Sequence, residues 1–255
     1  MVGNREKGSY WNGVNSNEGN TMKLYRNEWK YRLQEPDLAV IENRVASVMA
    51  LDFHSGESGN YEIHSLYFDD YKDACAKENE AGVSRRFKYR IRYYGDASDI
   101  LKLERKEKMD GRCHKDSTLI SKEMCQKILD GKADELYWET EDRLVRNFCV
   151  HIMTRLFEPK AIISYERAAY VEEISNVRIT LDKNISVSDA FDNFLSGEFM
   201  RYPIQERNEH VLEVKFDDIL PGYVKNIISN KNLQQSSFSK YYLGRLKLQE
   251  MRRIV

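Results

Sequence analysis

Absences set the first limits. No run of about 18 apolar residues occurs, so no segment reads as a membrane-spanning helix. The polar opening MVGNREKGSYWNGVNSNEGNT lacks the apolar core of a secretory signal. The four cysteines, Cys75, Cys113, Cys125 and Cys149, show no C-x-x-C or C-x-H spacing. That pattern argues for reduced thiols in a cytoplasmic setting and against a zinc site. Four prolines and 13 glycines are too few for a fibrous or low-complexity chain. An excess of one charge is missing too: 40 Lys and Arg meet 41 Asp and Glu, a net charge of −1. A basic nucleic-acid coat would show a large positive surplus. There is no G-x-x-x-x-G-K loop, dinucleotide fingerprint or G-x-S-x-G elbow. His64, His114, His151 and His210 are scattered without ligand spacing, so Ser-His-Asp and Cys-His catalysis have no support.

What is present is dense charge and many aromatic rings. Charged residues make up 32% of the chain, with 16 Tyr, 10 Phe and three Trp among its 255 residues. Residues 1–21 are rich in Asn, Gly and Ser and are expected to be a disordered tail; residues 22–255 read as one domain. Strand-like alternation runs over 24–33, 62–68, 85–94, 100–108, 161–170, 177–181 and 210–216. Helical spacing covers about 36–51, 121–129, 140–156, 221–228 and 239–252. Ser121 and Ser239 are expected N-caps and Gly131 a helix stop. Strands mostly follow one another with helices interspersed, so the fold class is α+β with an antiparallel sheet.

The strands sort their charge by parity. In 85–94 the even positions are Arg86, Lys88, Arg90 and Arg92, and the odd ones Phe87, Tyr89, Ile91 and Tyr93. A period of two puts all four cations on one face. Crowded like charges repel on a flat solvent face, whereas a concave face holding a polyanion uses them. Glu-x-Lys recurs three times, as Glu28–Lys30, Glu104–Lys106 and Glu213–Lys215, with Lys102 and Lys108 extending the second. If the sheet curls into a barrel, apolar faces pack outward and the cations converge on a lumen suited to a phosphate chain. Tyr89, Tyr93 and Tyr165 are expected in the core rather than in the site.

Lys30, Ser65-Leu-Tyr-Phe-Asp69, Tyr89-Arg-Ile-Arg92, Leu103-Glu-Arg-Lys106, Tyr165-Glu-Arg167, Leu212-Glu-Val-Lys215 and Phe238-Ser-Lys240 together resemble the VTC domain. This is the polyphosphate polymerase domain of the vacuolar transporter chaperone type, in the triphosphate tunnel, or CYTH-like, superfamily. The resemblance implies a tunnel of about eight antiparallel strands with helices outside. It implies Mn²⁺- or Mg²⁺-dependent transfer of the ATP γ-phosphate, or that of another triphosphate, onto polyphosphate. Carried over, Arg90, Arg92, Lys106, Arg167 and Lys240 are catalytic. Lys30, Lys88, Lys108, Lys115, Arg178, Lys215 and Ser239 bind phosphate. Glu213 takes the metal, with Glu28 and Glu104 as further candidates. Lys108 departs from the pattern, since the fungal enzyme has His there. No nucleic-acid partner is expected, and a separate membrane partner is left open. Two alternatives stand: a tunnel-type triphosphatase and a non-catalytic polyphosphate sensor. Hydrolytic relatives begin Glu-x-Glu-x-Lys; here Arg26-Asn-Glu28-Trp-Lys30 puts Arg in the first position, which favours polymerase.

Overall fold

A computed structural model describes residues 23–52, 55, 59–95, 100–230 and 233–254. The segment expected to be a tail, 1–21, lies outside the described residues. Ten strands form one antiparallel sheet: β1 (Asn27–Gln34), β2 (Ala50–Leu51), β3 (Tyr61–Asp69), β4 (Arg86–Tyr94), β5 (Ile100–Met109), β6 (Arg112–Ser121), β7 (Glu158–Glu172), β8 (Val177–Ser188), β9 (Tyr202–Pro203) and β10 (Glu209–Phe216). The main path runs β1-β10-β8-β7-β3-β4-β5-β6, with β2 beside β7 and β9 beside β8. The helices are α1 (Glu35–Ala46), α2 (Ala74–Glu80), α3 (Lys122–Leu129), α4 (Ala133–Glu139), α5 (Arg143–Arg155), α6 (Gly222–Ile228) and α7 (Lys240–Ile254).

The sheet curls until its two edges meet. Arg26, just before β1, exchanges both backbone hydrogen bonds with Cys113 of β6, each 2.9 Å. Further along β1, Ser236 N–H donates to Lys30 O at 2.9 Å, so the chain leading to α7 occupies the edge there.

Parity explains the layers. The odd residues of β4, Tyr89, Ile91 and Tyr93, are fully buried on the outer face, where Tyr89 meets Phe148 of α5 at 4.7 Å between ring centroids. Each such burial is worth about 1.5–3 kcal/mol. On the other half, Leu212, Val214 and Phe216 of β10 pack with Leu38, Ile41 and Val45 of α1. The expected Ser121 cap is present, its Oγ accepting from Met124 N at 3.2 Å; α5 is capped by Asp142, which accepts from Leu144 N and Val145 N at 2.8 and 3.0 Å. Gly131, with φ of +76°, ends α3 as expected.

Helices pack around the curled sheet as expected, and one of them, α7, also contacts residues of its inner face. Tyr241 stacks on Tyr67 of β3 at 5.2 Å, and the backbone at Gly244 comes so close that an added Cβ would sit 2.5 Å from Ile163 Cδ1 and 3.1 Å from Val187 Cγ2. The physical reason is amphipathy turned inward: α7 fills lumen that the sheet alone leaves empty, and keeps its first turn for the charged cluster. Asp69, fully buried, anchors this arrangement by accepting from Cys75 N, Ala76 N and the Tyr241 hydroxyl at 2.9, 3.0 and 2.7 Å. Gly244→Ala should therefore cost about 1–3 kcal/mol by overpacking, read as a lower urea midpoint. An unchanged midpoint would mean that α7 is not held this tightly.

Candidate functional site: a cation-lined lumen

The inner face carries alternate residues of the eight main-path strands, and their charges form three connected groups. In the first, β1, β5 and β10 meet. Lys106 Nζ donates to both oxygens of Glu28 at 2.7 Å. Lys30 Nζ lies 3.6 Å from Glu28 and 3.4 Å from Glu213, and donates to Phe238 O at 3.0 Å. Lys215 Nζ stands 3.6 Å from Glu28 and 3.9 Å from Glu213. The Glu28 and Glu213 carboxylates are themselves within hydrogen-bonding reach of each other. Burial opposes ionisation of Glu213, yet Lys215 and Lys30 hold it well below the ordinary carboxylate range. For Glu28, burial and the Glu213 charge push upward, and Lys106 and Lys30 outweigh them.

The second group links β7, β8 and α7. Arg167 grips Asp182 through Nε and Nη2 at 2.6 and 2.8 Å, and Lys240 Nζ reaches the same carboxylate at 2.5 Å. Arg167 Nη2 also lies 3.5 Å from Glu213, joining this group to the first. The third group belongs to β4, β5 and β6. Glu104, 0% exposed, accepts from Arg90 Nε at 2.6 Å and Lys115 Nζ at 2.8 Å, with Arg92 at 3.8 Å. Burial disfavours its charge, but these three cations keep it well below its ordinary value.

The inner face thus unites Lys30, Lys88, Arg90, Arg92, Lys106, Lys115, Arg167, Lys215 and Lys240, nine cations against the four carboxylates Glu28, Glu104, Asp182 and Glu213. Lys88 reaches Ser239 Oγ at 3.0 Å and Asn79 Oδ1 at 3.2 Å. Ser239 Oγ also accepts from Tyr242 N at 3.3 Å, so it caps α7 as expected. The remaining residues sit at the margins. Lys108 pairs in register with Cys113 beside the seam, and burial lowers its pKa. Arg178 is held by Asp52 at 2.8 Å and the Tyr61 hydroxyl at 3.3 Å. Burial also brings Lys88 and Lys215 down to about 8.

Several inner-face residues carry no role in the sequence reading. Tyr165, expected in the core and buried there, shares parity with Arg167. Its hydroxyl accepts from Arg92 Nη2 at 3.0 Å and its ring lies 4.8 Å from Lys240 Nζ. Tyr67 accepts from Arg90 Nη1 at 2.9 Å. Parity within their own strands was the signal that would have found both. Cys113 faces Glu28 at 3.5 Å.

A divalent cation is tested by the donor set. Among the described residues no group of three or more His, Cys, Asp or Glu is placed to hold a metal. Glu28 and Glu213 offer two adjacent carboxylates, which is the protein share that Mg²⁺ takes when substrate phosphates supply further ligands. The pair fits that use. Glu104 has its oxygens engaged by Arg90 and Lys115 and stands in a different group. A separate cavity of about 370 Å³ lies between α7 and the start of β7, lined in part by Leu129, Lys160, Arg245 and Leu248. Its Arg245 is already paired with Asp73 at 2.7 Å.

Comparison with known proteins gives one informative match: the family model described as the VTC domain matches residues 25–249. No curated protein matches. Solved structures that resemble the chain include a provisionally assigned adenylate cyclase of Bacillus halodurans, at TM-score 0.46 and 13% identity over 77% of this chain and 82% of that one. The PH1819 protein of Pyrococcus horikoshii gives 0.42 and 13% over 89% and 99%. Its PH1012 protein gives 0.43 and 12% over 86% and 98%. The family match and the cationic lumen together support a triphosphate-related function of the tunnel type. Among the described residues, no helix is long and apolar enough to cross a membrane.

Proposed function

This chain belongs to the VTC-domain family, and from that premise we propose that it is a polyphosphate polymerase moving the ATP γ-phosphoryl group onto a phosphate chain inside the lumen. The observation that carries this reading is the surplus of inner-face cations converging on the first turn of α7. Phosphoryl transfer asks the protein for positioning and charge stabilisation more than for covalent chemistry. Arg90 and Arg92 grip the phosphate chain from β4. Lys106, Arg167 and Lys240 surround the transferring group and stabilise its oxygens. Ser239 and the free N–H groups at the start of α7 favour an anion there. A terminal oxygen of the acceptor phosphate attacks the γ-phosphorus and ADP departs. No side-chain nucleophile is needed. Glu28 and Glu213 would hold Mn²⁺ or Mg²⁺, which would draw charge from the phosphate oxygens.

The same arrangement disfavours two-metal hydrolysis. The position where hydrolytic relatives carry a further Glu is Arg26, tied at the rim to Asp217 at 2.8 Å. The test is direct: incubate the protein with ATP and Mn²⁺, separate products on a polyphosphate gel and assay free phosphate. Chains support the polymerase, and phosphate without chains means hydrolysis. Tight polyphosphate binding without turnover means a sensor.

The pH dependence has a definite sign. Lys88 and Lys215 lose their protons as pH rises through about 8, and only their protonated forms attract phosphate. Polyphosphate affinity should therefore fall across that range. Lys215→Arg should retain more affinity at high pH, because Arg keeps its charge there. Parallel profiles for the two proteins, measured by calorimetry, would remove Lys215 from the binding set.

A further inference from the structure

Tyr67 is an inner-face side chain whose hydrogen bond does not close its own accounts. It is 8% exposed, and its hydroxyl oxygen is 2.9 Å from Arg90 Nη1. A guanidinium only donates, so the phenol oxygen is the acceptor in that bond. Among the described residues no acceptor receives the phenol proton in return. The groups facing the phenol are cations on one side: Lys88, Arg90 and Arg92 of β4. From α7 comes the Tyr241 ring, stacked at 5.2 Å, with its own hydroxyl committed to Asp69. Tyr165 of β7 is taken by Arg92, Lys240 lies over the Tyr165 ring, and Glu104 of β5 is beyond Arg90, on its opposite nitrogen. A buried hydroxyl with a donor against it and no acceptor is costly as a neutral phenol and comfortable as a phenolate.

We propose that Tyr67 is a built-in exchange anion of the tunnel: in the empty lumen its phenolate holds Arg90, and when a phosphate chain takes over that cation the phenolate accepts a proton from solvent and donates a hydrogen bond to a phosphate oxygen. The direction of ionisation agrees. Burial opposes the phenolate, but the charges of Arg90 and Arg92, the Arg90 hydrogen bond and Lys88 outweigh it and bring the phenol down to about 7. Phosphate oxygens beside the same cations reverse that pull, so binding is coupled to proton uptake on the alkaline side of neutrality and not on the acid side. The consequence is selectivity by charge and donor need: the bound chain meets a phenol that donates, where a permanent carboxylate would repel it.

This inference rests on the reading that the lumen takes phosphate chains, and two measurements separate them. The first needs no ligand. Ultraviolet titration of the free protein should show one tyrosine of the 16 ionising near neutrality. Tyr67→Phe should lose that step, whereas Tyr94→Phe, whose phenol Arg92 also pulls down, should keep it. The second adds inorganic tripolyphosphate at about pH 8. The tyrosinate band should bleach on saturation. Calorimetry in buffers of different ionisation heat should record up to about one proton more taken up by the wild type than by Tyr67→Phe. A wild type without a near-neutral tyrosine overturns the proposal, and so does a band that survives saturation. Absence of tripolyphosphate binding in the calorimeter removes the tunnel reading itself and this inference with it. The wild-type titration stands even if the variant folds poorly, although Phe keeps the ring that stacks on Tyr241.

Discussion

Lys106→Met should lower the rate of polyphosphate synthesis by about 10²–10³-fold, the loss typical of removing one preorganised donor from a transition state. The side chain is placed for that role by its strand. β5 holds it between Lys88 of β4 and Lys115 of β6 in register, and its ammonium spans both oxygens of Glu28 at 2.7 Å. Burial disfavours its charge, but Glu28 raises its pKa, so it stays protonated through the working range. Met retains the apolar stem that covers the neighbouring surface. Glu28 keeps Lys30 and Lys215, each 3.6 Å away, so it is not left alone. The melting temperature should therefore move little while kcat collapses. An enzyme that keeps its kcat and loses only apparent affinity would place Lys106 among uniform binding groups, outside the transferring centre.

Asp182 should give the opposite pattern. It is 0% exposed and is the shared counter-charge of Arg167 and Lys240. Asp182→Asn leaves two buried cations with too little negative charge, a change that costs about 3–5 kcal/mol when a buried ion pair loses one partner. The measurement is denaturant unfolding at neutral pH. The pH dependence follows from linkage. Burial opposes ionisation of Asp182, yet Arg167 and Lys240 depress its pKa in the folded state. Its contribution is present above the unfolded value of about 3.9 and fades as pH falls below it. The stabilities of wild type and variant should converge on acidification. A difference under about 1 kcal/mol at neutral pH would mean that water or rearranged lysines compensate, and the fold would not depend on this pair.

Much of this was legible because a strand's period of two is rigid. Once 86–93 read as Arg-Phe-Lys-Tyr-Arg-Ile-Arg-Tyr, the separation of Arg90 and Arg92 from Tyr89 and Tyr93 followed, and the structure keeps it. Glu-x-Lys in three strands likewise put both members of each pair on the inner face. Other features carried no such signature. β6 reads RCHKDSTLIS, polar on both sides, because it is an edge strand with only Ile120 fully buried. β8 runs to Ser188, past the 177–181 segment, since its Asp182-Lys183-Asn184 stretch breaks the apolar alternation. The short helices α2 and α4 span under two turns each, too little for a 3.6 period to register. Tyr165 is buried in the core as expected, and its hydroxyl also reaches Arg92 on the lumen side. That α7 enters the lumen depends on Gly244, whose missing side chain says nothing in sequence about which surface will approach it.

The four inner carboxylates change what a dissolved salt can do to this protein. A phosphate chain settling on bare lysines and arginines would expel loosely held chloride into solution, and that release would make its affinity fall steeply as salt rises. Here Glu28, Glu104, Asp182 and Glu213 already neutralise part of the cation array and are fixed to the chain. They cannot be set free, so binding exchanges partners within the wall. The lumen should hold its ligand with a gentler ionic-strength dependence than nine cations imply. A single phosphate, too short to repay several broken ion pairs at once, gains least from entering.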